Sequence, residues 1–99
     1  MFNVQRIEKG KTLEFVLEGR LDTTTSPQLE ELVRNNIGDA EMLIFDFQKL
    51  DYISSAGLRV LLAAQKIMNK QGKMVVKNVS EEVREIFEVT GFCDILTIE

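Results

Sequence analysis

Two adjacent serines, Ser54 and Ser55, lie in the stretch DYISSAGLRVLL, just before a glycine and a helical pattern. A serine hydroxyl there can act as a nucleophile, cap a helix, or accept a phosphate from another protein. Catalysis at a serine needs a general base, and the sequence contains no histidine. Only a Ser-Lys pair with Lys49, Lys66 or another lysine then remains, and we do not expect one. The sequence therefore predicts no catalytic residue and no enzyme.

Either serine could cap the helix that follows, but a cap accounts for only one of them. On a helical wheel of about 100° per residue, the predicted core face contains Val60, Leu61, Ala63, Ala64, Ile67 and Met68. Leu58 and Leu62 fall on the opposite, polar face with Ser55 and Arg59. An apolar spot with a polar rim is typical of a partner-binding surface, so the wheel predicts that a partner covers Ser55.

The composition restricts the class of protein. The chain has 99 residues, 44% of them hydrophobic, and one proline, which predicts a single domain over residues 1–99. The net charge of -4 with scattered basic residues argues against nucleic acid as a partner. The apolar stretch at 58–68 is interrupted by Arg59 and Lys66 and is too short for a membrane span. With one cysteine and no secretion signal at the start, we expect a cytoplasmic protein.

No pattern indicates a metal or cofactor. Asp22, Asp46 and Asp51 do not have the spacing of a cation-binding loop. The glycine-rich phosphate-binding motifs are absent from the sequence. Cys93, next to Phe92 and near Ile95, is predicted to be a small buried apolar residue.

The elements that must position the serines alternate between strand and helix. Two β-like runs, Phe2–Glu8 and Thr12–Leu21, flank the turn KGK and predict a hairpin whose second strand has helices on one side. A first helix is predicted over 27–37, capped by Ser26. The apolar run Met42–Phe47 predicts a central strand covered on both faces.

After the serine pair and its helix, the pattern continues in the same way. Residues 73–79 predict a short strand, and Ser80 and Gly91 mark the ends of a third helix. The tail, DILTIE, predicts an edge strand. The order predicts an α/β fold with an N-terminal hairpin, a mostly parallel sheet of four to five strands, and three or more helices packed on it.

Three segments in order carry a resemblance to a known family: GRLD at 19–22, ISSAGL at 53–58, and IFEVTGFCDIL at 86–96. The chain resembles the STAS domain of bacterial anti-sigma factor antagonists over nearly its whole length. The resemblance implies a STAS-like fold. Many members have aspartate where Ser54 stands, and serine or threonine where Ala56 stands.

The resemblance also implies a phosphorylation switch. In the family, the serine two places before the glycine is phosphorylated by the anti-sigma factor, a serine kinase that binds ATP and is also the binding partner. That serine is Ser55 here, and a metal-dependent serine phosphatase would reverse the step. The loop at Asp22 would lie near this site. The implied partner-binding residues are Asp22, Thr23, Ser54, Ser55, Gly57, Leu58, Arg59 and Leu62.

STAS domains also serve as regulatory subunits of membrane transporters and in stress-sensing assemblies. A stand-alone subunit of that kind, without a sigma-factor output, is the alternative that the resemblance leaves open.

Overall fold

The computed structural model describes residues 2–99, which form a four-stranded sheet with helices packed on it. In chain order the elements are β1 (Phe2–Lys9), β2 (Thr12–Leu21), α1 (Ser26–Asn36), β3 (Met42–Ile53), α2 (Ser55–Met68), β4 (Lys73–Lys77), α3 (Glu81–Thr90) and a short 3-10 helix (Phe92–Asp94). The predicted α/β class, the hairpin and the order of elements up to the third helix are confirmed.

The sheet has the order β1-β2-β3-β4. β1 and β2 form the antiparallel hairpin, whereas β2, β3 and β4 run parallel to one another. Parallel neighbours need a crossover, and α1 and α2 supply the two crossovers. The carboxyl ends of β2 and β3 therefore point to the same edge of the sheet.

One face of the sheet carries the core. In the first part of β2 and of β3 every second residue is buried, including Phe15, Phe45 and Phe47. The Phe15 and Phe45 rings stack at 5.8 Å, and Phe47 contacts Phe87 of α3 with the ring centroids 6.3 Å apart. Buried residues of all three helices belong to the same cluster.

The other face of the sheet is only partly covered. Ile44 and Asp46 of β3, like Glu14 and Val16 of β2, have intermediate exposure. The prediction that the run Met42–Phe47 is covered on both faces is therefore wrong. An apolar run cannot by itself tell a doubly covered strand from one with a half-exposed apolar side.

The predicted ends of α3 are confirmed, but the predicted cap of α1 is not. At α3 the Ser80 hydroxyl accepts a hydrogen bond from the Val83 amide at 3.2 Å, and Gly91 ends the helix with φ 82°, as predicted. At α1 the prediction is wrong. Thr25 occupies the cap position, and Ser26 is the first helical residue, with a buried hydroxyl that has no hydrogen-bond partner within residues 2–99.

The tail forms less strand than predicted. It begins with the 3-10 turn and then meets β4 at one bridge, where Val76 pairs with Ile98. The Val76 amide donates to the Thr97 carbonyl, and the Glu99 amide donates to the Val76 carbonyl, both at 2.9 Å. The edge position is confirmed, but the pairing covers a single residue of β4.

Cys93 is exposed, which contradicts its predicted burial. Around the 3-10 helix, the apolar side chain of Phe92 is partly buried and that of Leu96 is buried. The Leu96 amide donates a hydrogen bond of 2.9 Å to the Phe92 carbonyl. Cys93 lies between them and points outward, as does Ile95.

Candidate functional site

The serine pair and the Asp22 loop meet at the carboxyl edge of the sheet. Leu21, the last residue of β2, is in register with Ile53, the last residue of β3. The Ser54 amide then donates a hydrogen bond of 2.9 Å to the Leu21 carbonyl. The parallel register thus brings Asp22 and Ser54 together, as the family resemblance implied.

Ser54 holds the cap position of α2 through its backbone alone. It has the extended φ and ψ of -99° and 177°, and its carbonyl accepts from the Leu58 amide at 3.0 Å. Its hydroxyl is buried and makes no hydrogen bond within residues 2–99. A structural place for Ser54 is confirmed, but the hydroxyl does not cap the helix.

Ser55 is the first residue of α2 and is exposed. The first turn of α2 contains no acidic residue and has no side-chain cap, whereas α3 has the Ser80 cap followed by Glu81 and Glu82. The first amides of a helix lack intrahelical acceptors and favour a negative group nearby. Ser55 is thus accessible at a helix start that has no anion of its own.

The Asp22 loop is held by its own hydrogen bonds. The carboxylate accepts from the amides of Thr24 at 3.0 Å and Thr25 at 3.1 Å, while the Asp22 amide donates to the Thr25 hydroxyl at 2.8 Å. The Thr25 amide, above all, holds the pKa of the Asp22 carboxyl below its ordinary value, with further help from Thr24 and Arg20. The ordinary turn role of Asp22 is therefore present, and the side chain is still 33% exposed.

Arg20 and Tyr52 also lie at this edge of the sheet, and neither was predicted from the sequence to have a role. The Arg20 guanidinium lies 4.4 Å from the centroid of the Tyr52 ring, and its Nε is 4.0 Å from Asp22 Oδ2. The signal that could have found the pair is the strand register, in which Arg20 and Tyr52 are direct partners.

The predicted exposure of Leu58 is wrong. Leu58 is only 5% exposed and belongs to the core, and Leu62 is half-buried. On a helical wheel of about 100° per residue, the centre of the buried side of α2 is rotated by about 60° from the predicted centre, toward Leu58. As a result, Gln65 is buried while Ala63 and Ile67 are exposed, the reverse of the prediction.

Gly57 is also buried and allows α2 to approach the strand ends. A Cβ on Gly57 would lie 2.7 Å from Ile53 Cγ1 and 2.9 Å from Leu21 Cγ. Both neighbours are fully buried core residues that cannot easily move aside. The glycine therefore sets the position of Ser54 and Ser55 against Leu21, rather than touching a partner through a side chain.

Replacing Gly57 with valine should lower the free energy of unfolding by about 2 to 3 kcal/mol, because overpacking a tight core costs roughly 1–3 kcal/mol. Urea denaturation would measure the loss. Ala63→Val is the matched control, since Ala63 is exposed on the same helix and should change stability by less than about 0.5 kcal/mol. Valine is a better helix former than glycine, so a loss at Gly57 no larger than that at Ala63 would contradict tight packing at Gly57.

The remaining predicted site residues lie around Ser55. Thr23 and Arg59 are both exposed and line one hollow between α1 and α2, together with Ala56. The structure thus brings together Asp22, Thr23, Ser54, Ser55 and Arg59, and it removes Leu58 and Gly57 from the surface. Among residues 2–99, no helix is long and apolar enough to cross a membrane, and no group of three or more acidic or cysteine side chains could hold a metal ion.

The sequence is similar to known proteins over most of its length. The sequence-family model of the STAS domain matches residues 3–99. BtrV of Bordetella bronchiseptica, named as an anti-sigma factor antagonist, is 38% identical over 84 residues, which is 83% of this chain and 72% of BtrV.

Two solved structures share the fold. An anti-sigma factor antagonist from Mycobacterium paratuberculosis superposes with a TM-score of 0.89 at 19% identity, covering 99% of this chain and 85% of the other. The Bacillus cell fate determinant SpoIIAA in its phosphorylated form has a TM-score of 0.75 at 20% identity, covering 100% and 91% of the two chains. With the family model matched over almost every residue, the chain belongs to the STAS domain family.

Proposed function

We propose that this chain is an anti-sigma factor antagonist that works by partner switching. In its unphosphorylated form it binds an anti-sigma factor that is a serine kinase, and so frees the sigma factor. The kinase phosphorylates Ser55 with its own ATP, and the complex dissociates. A metal-dependent serine phosphatase removes the phosphate and restores binding.

The observation that carries this proposal is the difference between the two serines. Ser55 is exposed at the start of α2, whereas the Ser54 hydroxyl is buried. A kinase must reach the oxygen that it modifies, so Ser55 is the acceptor that the geometry favours. Ser55 also lies beside the Asp22 loop, where a bound partner can contact both.

The chain can carry a phosphate at Ser55 without refolding. The modification adds about -1.5 to -2 charges, which the free amides and dipole of a helix start accommodate. Arg59, one turn later on the same exposed side, is spaced to pair with the phosphate. A partner packed over Ser55 must instead remove that charge from water, which is costly without a full set of partners.

Phosphate mapping by mass spectrometry tests the proposal. The purified chain is incubated with ATP and the candidate anti-sigma kinases of its host, and the expected product carries one phosphate on Ser55. Ser55→Ala should abolish the modification, and Ser54→Ala should keep it. Absence of phosphate with every kinase would contradict the mechanism, and phosphate on Ser54 would transfer the switch to that residue.

A further inference from the structure

A groove runs between α1 and α2, beginning next to Ser55. It consists of two hollows that share Glu30 and Val60, one of about 210 Å³ at the Ser55 end and one of about 80 Å³ further along. We call this feature the interhelical groove. Its α2 wall is formed by Ala56, Val60, Ala63 and Ile67.

The α2 wall is an apolar stripe. Its residues recur at intervals of three and four, so they lie on one side of the helix. Ala63 is exposed and Ile67 is 37% exposed, whereas Val60 is buried and forms the floor. Ala56 and Ala63 have short side chains, so there is room between the two helices for side chains from another molecule.

The charges along the groove are balanced except at one end. Glu30 and Arg34 of α1 pair with each other at 3.1 Å. Arg59, which lines the first hollow beside the apolar stripe, makes no ion pair within residues 2–99. The groove therefore fits a segment that is apolar along its length and carries a carboxylate at the end near Ser55.

We infer that the interhelical groove is the docking site for an amphipathic helix of the kinase that acts on Ser55, with an acidic residue opposite Arg59. The inference rests on the proposed function. The first hollow is lined by Ala56, the neighbour of Ser55, and by Thr23 of the Asp22 loop, so a partner that covers Ser55 extends into it. The stripe from Ala56 to Ile67 is about 16 Å long at 1.5 Å per residue, which matches three turns of a partner helix.

Calorimetry with the purified kinase tests the groove. Ala63→Glu puts a charge into the apolar stripe and should weaken binding at least tenfold, with the unfolding midpoint unchanged because Ala63 is exposed. Lys66→Gln changes the net charge by the same amount on the exposed side of α2 outside the groove, and should leave the affinity within twofold. In kinase assays, Ala63→Glu should raise KM for the chain and leave kcat unchanged.

The outcomes separate the inference from the proposed function. If the kinase phosphorylates Ser55 and Ala63→Glu binds like the wild type, the groove inference is overturned and the switch stands. If the wild-type chain is neither bound nor phosphorylated, the proposed function fails as well. If sedimentation shows a dimer that Ala63→Glu dissociates, the groove holds a second copy of the chain, and the kinase helix is excluded.

Discussion

Replacing Leu58 with alanine is expected to lower the free energy of unfolding by about 2 to 5 kcal/mol, the usual range for emptying a buried leucine site. Leu58 is 5% exposed and lies in the cluster formed by the sheet face and the helices. A domain of this size is stable by roughly 5–15 kcal/mol, so this one change removes a large fraction of its stability. Urea denaturation gives the loss as a lower midpoint with an unchanged slope.

Leu62→Ala is the matched control for Leu58→Ala. Leu62 lies one turn later and is only half-buried, so its loss should be about 1 kcal/mol. A loss below about 1 kcal/mol for Leu58→Ala, combined with weaker kinase binding, would mean that Leu58 faces the partner after all. Any binding defect of Leu58→Ala must therefore be measured at a temperature where the variant is still folded.

The wrong prediction at Leu58 shows that the sequence alone does not determine which side of α2 faces the sheet. Apolar residues occupy most of the circumference of α2. The alanines among them do not show which side of the helix is buried, because alanine is common both in cores and on surfaces. The side of α2 that faces the sheet is set by the approach of the helix at Gly57, where the neighbours are Ile53 at the end of β3 and Leu21 of the adjacent strand, 36 residues before Gly57 in the chain. A wheel contains no information about these long-range contacts.

Three local signals predicted their structures correctly, whereas the predicted Ser26 cap of α1 was wrong. The hairpin turn, the Ser80 cap and the Gly91 end of α3 each depend on residues within a few positions of one another. Part of the candidate site could be predicted from the sequence. Asp22 and Ser54 follow parallel strands, but their meeting requires the Leu21 and Ile53 register, and the burial of the Ser54 hydroxyl requires the packed structure.

In the proposed switch, a negative charge at Ser55 should separate the chain from the kinase. We expect the phosphorylated chain, and Ser55→Glu, to bind the kinase at least 100-fold more weakly than the unmodified chain, whereas Ser55→Ala should keep most of the affinity. A factor of 100 corresponds to about 3 kcal/mol, which is within the cost of burying an unpaired charge in an interface. Calorimetry with each form measures the effect.

Gln28→Glu is the control for charge alone, because Gln28 is exposed on α1 and the substitution adds the same single negative charge as Ser55→Glu. It should change the affinity by less than threefold. Tight binding of Ser55→Glu and of the phosphorylated chain would contradict the switch and leave Ser55 as a surface residue beside a helix cap.

The free chain should keep its stability when Ser55 carries a negative charge. A negative group at the start of α2 lies near amides that lack acceptors and near Arg59, so Ser55→Glu should unfold at the same or a slightly higher temperature than the wild type. An ordinary structural role for Ser55 would couple lost binding to lost stability. The switch instead requires that binding falls while stability is kept, and measuring both on one variant distinguishes the two roles.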